Sequence, residues 1–277
     1  MTSQDKGPER FEAVGPVGCS RTACREVLRR GEEGVASETF NEDGIGKGFL
    51  GRSRLLTGLG AVALISFVAA LGAALFYAPT ERTMGHAQRI FYFHVPSAWI
   101  AFLAFFVVCA ASILVLWKGE RKWDILAVSS AELGVLFATL VLITGPLWAK
   151  TAWGIWWVWD ARLTATLVLW LIYVGYLMLR AYVEDPARRA RLSAVLGIVG
   201  AADIPFIVLS VQWWRTQHPT LILTERGSLA PEMIQTLMLA LLSFSLVYVY
   251  LLLRRVRVER AKDTLEALKR RRDRGGR

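Results

Sequence analysis

Histidine is scarce in this sequence, occurring only as His86, His94 and His218. Neutral imidazole is the commonest metal ligand in proteins, and haem iron accepts it axially. His94 stands in the stretch FYFHVPSAW and His218 in QWWRTQHPT. Between them in the chain, WGIWWVWDARLT packs Trp153, Trp156, Trp157 and Trp159 into seven residues and follows them with Asp160 and Arg162. Two imidazoles, a large aromatic surface, a carboxylate and a guanidinium are what a flat, iron-centred macrocycle with anionic side arms would need.

The geometry of the tryptophan segment is open to two readings. As a helix it places Trp153, Trp156, Trp157 and Asp160 on one face, with Trp159 off it; as an extended segment it aligns Trp153, Trp157 and Trp159. Scattered tryptophans such as Trp99, Trp117, Trp170 and Trp213 are explained by the aromatic belt at a membrane interface. A belt requires neither the density of WGIWWVWD nor a carboxylate embedded in it. Arg162 suits a carboxylate ligand through its planar guanidinium; Arg89, Lys150 and Arg215 are further candidates, equally suited to headgroup phosphates. Asp160 can orient a ligand imidazole from the outer shell or cap the helix that follows, and the two roles are compatible. His86 is read as an interfacial residue without a ligand role.

The elements that must position these residues follow from hydropathy. Of 277 residues, 54% are hydrophobic and 20% charged, and the mean hydropathy is +0.39. Six long apolar runs lie near 55–77, 96–117, 125–148, 163–179, 192–214 and 234–253. A bilayer core about 30 Å thick takes roughly 20 residues of helix, and runs this continuously apolar lack the alternation of a barrel strand. The expected fold is all-α: a polytopic bundle of six transmembrane helices.

Lysine and arginine collect in KGERKWD, in RAYVEDPARRAR and after Leu253. Alternating spans put all three on one side, which the positive-inside rule makes cytoplasmic together with both termini. The segments 79–95, 149–162 and 215–233 then face outward, and every histidine is among them. Residues 1–50 read as a disordered cytoplasmic extension without a signal peptide, so that the first span doubles as the targeting signal. Residues 51–254 read as the membrane domain and 255–277 as a basic cytoplasmic tail directed at lipid headgroups rather than nucleic acid. Cys19, Cys24 and Cys109 form no CxxC or CxxCH motif, which argues against thiol redox chemistry or covalent haem. Glu132 and Asp203 lie within spans, where a carboxylate either lines a polar route or is a neutral, hydrogen-bonded packing residue.

No nucleophile with an adjacent base and no phosphate-binding loop occurs, so the chain is not read as an enzyme, and any ATP hydrolysis belongs to a partner.

HVPSAW, LITGPLWAKTAWGIWWVWDARLT and VQWWRTQH together resemble the cytochrome c maturation protein C (haem exporter protein C) family of the WWD-domain superfamily, over about residues 89–217. The resemblance implies a haem-handling protein of the bacterial inner membrane. Its cargo would be haem b, bound transiently on the outer face with His94 and His218 as axial ligands and Trp153, Trp156, Trp157, Trp159 and Asp160 as platform. It implies work beside an ABC-type transporter that includes an ATPase, and delivery of haem to the chaperone cytochrome c maturation protein E. Three alternatives remain: a cytochrome c synthetase of the same superfamily, which would form the thioether bonds itself, a membrane cytochrome b that transfers electrons, and a purely structural transporter subunit that never touches haem.

Overall fold

The computed structural model describes residues 42–82, 84–214 and 229–275, with side chains from Arg54 onward. The first helix, α1 (Glu42–Gly72), continues into a π-helical turn (Ala73–Tyr77). After a 3₁₀ turn (His86–Ile90) come α2 (Phe91–Lys118), α3 (Arg121–Trp153), α4 (Ala161–Tyr182), α5 (Pro186–Ala201), α6 (Asp203–Trp213) and α7 (Pro231–Gly275). Six of the resulting helical stretches are long and apolar enough to cross a membrane: Arg54–Tyr77, His86–Lys118, Arg121–Trp153, Ala161–Tyr182, Pro186–Trp213 and Pro231–Arg270. The all-α expectation holds. Backbone polar groups in lipid must be satisfied within the segment, and only the ends of these helices escape that demand.

Several boundaries differ from those read off the sequence. The third span runs to Trp153 instead of stopping near Trp148. Pro96 is an interior residue of α2, because the helix begins at Phe91 and not at the proline. The fifth span is broken at Ala202 between α5 and α6. Pro205 stands in the first turn of α6, has no amide hydrogen and so cannot continue the ladder of α5. The basic tail is no separate segment either, since α7 extends through it to Gly275. Of the N-terminal extension, residues 42–50 belong to α1, and residues 1–41 lie outside the described residues.

The antiparallel pair of α2 and α3 forms the centre. Gly119 (φ +67°) closes α2 in a left-handed conformation, and Arg121 already opens α3. Apolar surface gains nothing by leaving lipid for protein, so close packing and interhelical hydrogen bonds must hold the bundle together. Both are present. Ser130 of α3 donates to the Ala104 carbonyl of α2 at 2.8 Å and lies 2.8 Å from the Tyr248 hydroxyl of α7. Phe105 stacks on Tyr173 of α4 with centroids 3.8 Å apart, and the Tyr173 hydroxyl donates to the Gly197 carbonyl of α5 at 2.8 Å. Trp170, expected in an interfacial belt, instead donates from mid-helix to Thr139 Oγ1 at 2.8 Å. Trp117, 79% exposed beside Lys118, fits the belt reading.

The two ends of the bundle differ in charge. At one end Asp124 is buried and accepts from Arg180 (2.6 and 3.0 Å) and Arg121, and Arg121 also donates to Asp263 of α7 (2.9 and 3.0 Å). Next to it Arg255 bridges Glu132 and Glu259. Glu132 is thus neither a neutral packing acid nor part of a polar route, but half of an ion pair with α7. Removing one partner of such a pair is expected to be destabilising, because the other charge remains. At the opposite end lie residues 78–82 and 84–90, the 154–160 loop, the end of α6 and the start of α7, where Tyr77 donates to Gln235 Oε1 at 2.6 Å.

A Cβ added at Gly134 would collide with Phe105 Cε1, and Phe105 cannot yield because its ring is fully buried against Tyr173. Gly175, where an added Cβ would meet nothing within 4 Å, is the natural control. Gly134→Ala is expected to lower stability by about 1–3 kcal/mol through overpacking, while Gly175→Ala leaves it unchanged or slightly higher. Unfolding in mixed detergent micelles reads both.

Candidate functional site

The tryptophan segment takes its shape from two helix termini. Gly154 ends α3 at φ +76°, its amide donating to the Lys150 carbonyl at 3.1 Å; a side chain there would be strained. Lys150 Nζ turns back to donate to the Gly154 carbonyl at 3.0 Å. Asp160 opens α4 as its N-cap, accepting from the Leu163 amide at 2.7 Å. Between the caps the chain is irregular. Neither regular arrangement of the tryptophans applies, and each indole is placed by its own contacts.

Trp153 is the last residue of α3 and meets Trp148 edge to face at 5.0 Å. Trp157 and Trp159 meet likewise at 5.6 Å. Trp156 lies 5.8 Å from Lys150 Nζ. Trp156 and Trp159 are 55% and 75% exposed, whereas Trp153 and Trp157 are half-buried. The loop therefore presents apolar aromatic area outward while rooting itself inward.

Polar atoms at this end are left over. Trp148 Nε1, Trp157 Nε1 and Asp160 Oδ2 are buried without a hydrogen-bond partner, as are Gln88 Oε1 and Arg89 Nε of the 3₁₀ turn and the Tyr92 hydroxyl of α2. Most buried polar groups in native proteins are paired, and those that are not point to strain, function or an absent ligand. Arg162, the second residue of α4, is half-buried and forms no ion pair among the described residues, with Asp160 as the nearby opposing charge. Three of these atoms, Trp148 Nε1, Trp157 Nε1 and Arg89 Nε, are donors that suit an accepting ligand, whereas Asp160 Oδ2 and Gln88 Oε1 are acceptors.

His94 occupies the first turn of α2 and faces α3. Its Nδ1 lies 2.9 Å from Thr144 Oγ1. A Cβ on Gly145 would stand 3.3 Å from its Cε1, so the imidazole rests where the glycine has no side chain. Trp148 follows Thr144 by one helical turn, a rise of about 6 Å. The histidine thus sits below the tryptophan segment and against the helix that leads into it.

Of the residues singled out in the sequence, the structure brings His94 to the helix bearing Trp148 and Trp153, and sets Arg162 two residues after Asp160 at the start of α4 without an ion pair between them. Lys150 is engaged at a helix terminus, and His86 is exposed at the start of the 3₁₀ turn. His218 and Arg215 lie outside the described residues. Thr144 and Gly145 escaped the sequence reading. A Gly-Pro pair inside an apolar run, here Gly145-Pro146, is the signal that could have marked a close approach on α3.

Comparison with known proteins points the same way. Residues 48–271 match the model of the heme exporter protein C family. The chain is 37% identical over 193 residues to heme exporter protein C of Bradyrhizobium diazoefficiens, covering 69% of this chain and 73% of the relative. It is 37% identical over 183 residues to heme exporter protein C of Escherichia coli K12, covering 65% and 74%. A putative cytochrome c biosynthesis ccmC-like mitochondrial protein of Marchantia polymorpha is 34% identical over 155 residues, covering 56% and 65%.

The two oxygens of Asp160 are separable by mutation. Asparagine caps a helix as well as aspartate, whereas alanine removes the cap at about 0.5–2 kcal/mol. Asp160→Ala is therefore expected to lower the unfolding free energy by that amount and Asp160→Asn to leave it nearly unchanged, as measured by denaturation in micelles.

Proposed function

The chain belongs to the heme exporter protein C family, and from that membership and the site geometry we propose that it holds haem b at the tryptophan end of the bundle and hands it to a haem chaperone. A role in haem export for c-type cytochrome biogenesis follows from the family. The finer reading is that the tryptophan end faces outward from the bacterial inner membrane, that the chain works with the other subunits of an exporter complex including its ATPase, and that the recipient is the chaperone cytochrome c maturation protein E.

The observation that carries this reading is the position of His94 against Thr144 of α3, about one helical turn before Trp148 and on the helix that leads into the loop presenting Trp156 and Trp159 to its surroundings. The orphaned polar atoms support it. Indole and guanidinium hydrogens of Trp148, Trp157 and Arg89 suit the propionates of a porphyrin, and Arg162 supplies a further cation at the start of α4. The exposed indoles offer flat apolar surface to the macrocycle, and an edge left accessible at the rim would allow removal by a partner. Haem supplies the iron, for which neutral imidazole is the expected protein ligand. His94 provides one and His218 is assigned the other.

The chain's own work is then to bind, orient and release. His94 fixes the iron laterally against α3, the tryptophan loop bears the ring, and the arginines set the propionate edge. No residue of the site is asked to make or break a covalent bond, which distinguishes this reading from a synthetase. Full-length protein purified from haem-replete cells is expected to show a low-spin bis-imidazole absorbance spectrum. His94→Ala and His218→Ala should each abolish it. An unchanged spectrum in either variant removes that residue from the iron.

A further inference from the structure

We propose that Thr144 is a positioning residue that locks His94 in the tautomer protonated on Nδ1, so that Nε2 presents its lone pair to iron. The proposal deepens the haem-holding reading and rests on it. A neutral imidazole carries one proton, and which nitrogen bears it decides which nitrogen can ligate. Thr144 Oγ1 lies 2.7 Å from the Leu140 carbonyl and 2.9 Å from His94 Nδ1. A carbonyl can only accept, and a hydroxyl has a single hydrogen. When Thr144 donates to Leu140, its lone pairs face the imidazole, and the remaining bond must run from His94 Nδ1–H to Thr144 Oγ1. Both bonds are then made.

The opposite assignment is poorer. If Thr144 donated to Nδ1, the bond to Leu140 would be lost, the imidazole proton would move to Nε2, and the nitrogen needed by iron would be blocked. The Thr144 hydroxyl is placed to donate to the Leu140 carbonyl at 2.7 Å, and that placement leaves Nδ1–H as the donor to Oγ1. Gly145 completes the device: its missing Cβ leaves the ring just enough room, 3.3 Å from the position that a methyl would take, to lie flush beside Thr144. Both residues sit inside α3, so the orientation is set by a rigid element and not by a loop. A hydrogen bond donated by Nδ1–H also raises the basicity of Nε2 and favours ferric over ferrous iron.

The test uses the full chain in nanodiscs, nitrogen-15 labelled at histidine, with His94 assigned by difference against His94→Ala. In haem-free protein near neutral pH, long-range nitrogen–proton correlation is expected to show His94 protonated on Nδ1 and bare on Nε2. Thr144→Val, which keeps the branched shape, should lose that preference; Thr144→Ser, which keeps the hydroxyl, should retain it. Haem affinity should fall about 10–100-fold in Thr144→Val, with a more positive iron midpoint potential, and recover in Thr144→Ser. A wild-type His94 protonated on Nε2 would overturn the proposal. So would a Thr144→Val variant identical to wild type in tautomer and affinity while His94→Ala loses the bis-imidazole spectrum, an outcome that leaves the haem reading standing. If His94→Ala instead keeps that spectrum, the haem reading fails, and the tautomer measurement on haem-free protein still decides the role of Thr144.

Discussion

The close approach of α2 and α3 is the contact on which the rest of the molecule depends. Gly119 reverses the chain between them, Gly134 admits the ring of Phe105, Ser130 reaches the Ala104 carbonyl, and Gly145 admits the ring of His94. In lipid such contacts have no help from the hydrophobic effect, so small residues and close backbone approach substitute for it. The same pairing that makes a stable bundle therefore presses an imidazole against a threonine. Helices α4, α5 and α7 pack around this pair and inherit its register.

Charge is divided between the ends in a way that sorts structure from function. At the basic end the acids between the helices are held by arginines: Asp124 meets Arg121 and Arg180, Glu132 and Glu259 meet Arg255, and Asp263 meets Arg121. These pairs tie the long extension of α7 to α3, and α3 in turn to α4. At the tryptophan end the pairing is incomplete, with Trp148, Trp157, Arg89 and one oxygen of Asp160 left without partners. Buried polar atoms without partners also occur elsewhere, at Arg189 and Tyr176 among others, but at the tryptophan end they gather beside exposed indoles, as a ligand site would have them.

Much of this was legible in the amino-acid sequence, for physical reasons. Continuous apolar runs specify spanning helices because lipid leaves the backbone no alternative, and Asp160 before an apolar run reads as a cap because a short carboxylate there meets free amides. What escaped prediction depends on partners distant in the chain. That Glu132 is held by Arg255, that Trp170 bonds Thr139, and that Thr144 meets His94 are facts of packing between helices, invisible to periodicity within one. The extension of α3 to Trp153 was hidden because Lys150 and Thr151, which continue the helix, end the apolar run that marks the span. The break at Ala202 was foreshadowed only by Pro205, and a proline in an apolar run does not say whether a helix bends or stops.

The central claim is that one porphyrin iron is held between two histidines of this chain at the tryptophan end. It is tested most directly by pulsed electron paramagnetic resonance of the ferric, haem-loaded full chain in which only histidine carries nitrogen-15. Two coordinated histidine nitrogens are the predicted result. Coupling to no histidine nitrogen, or to one alone, would contradict it.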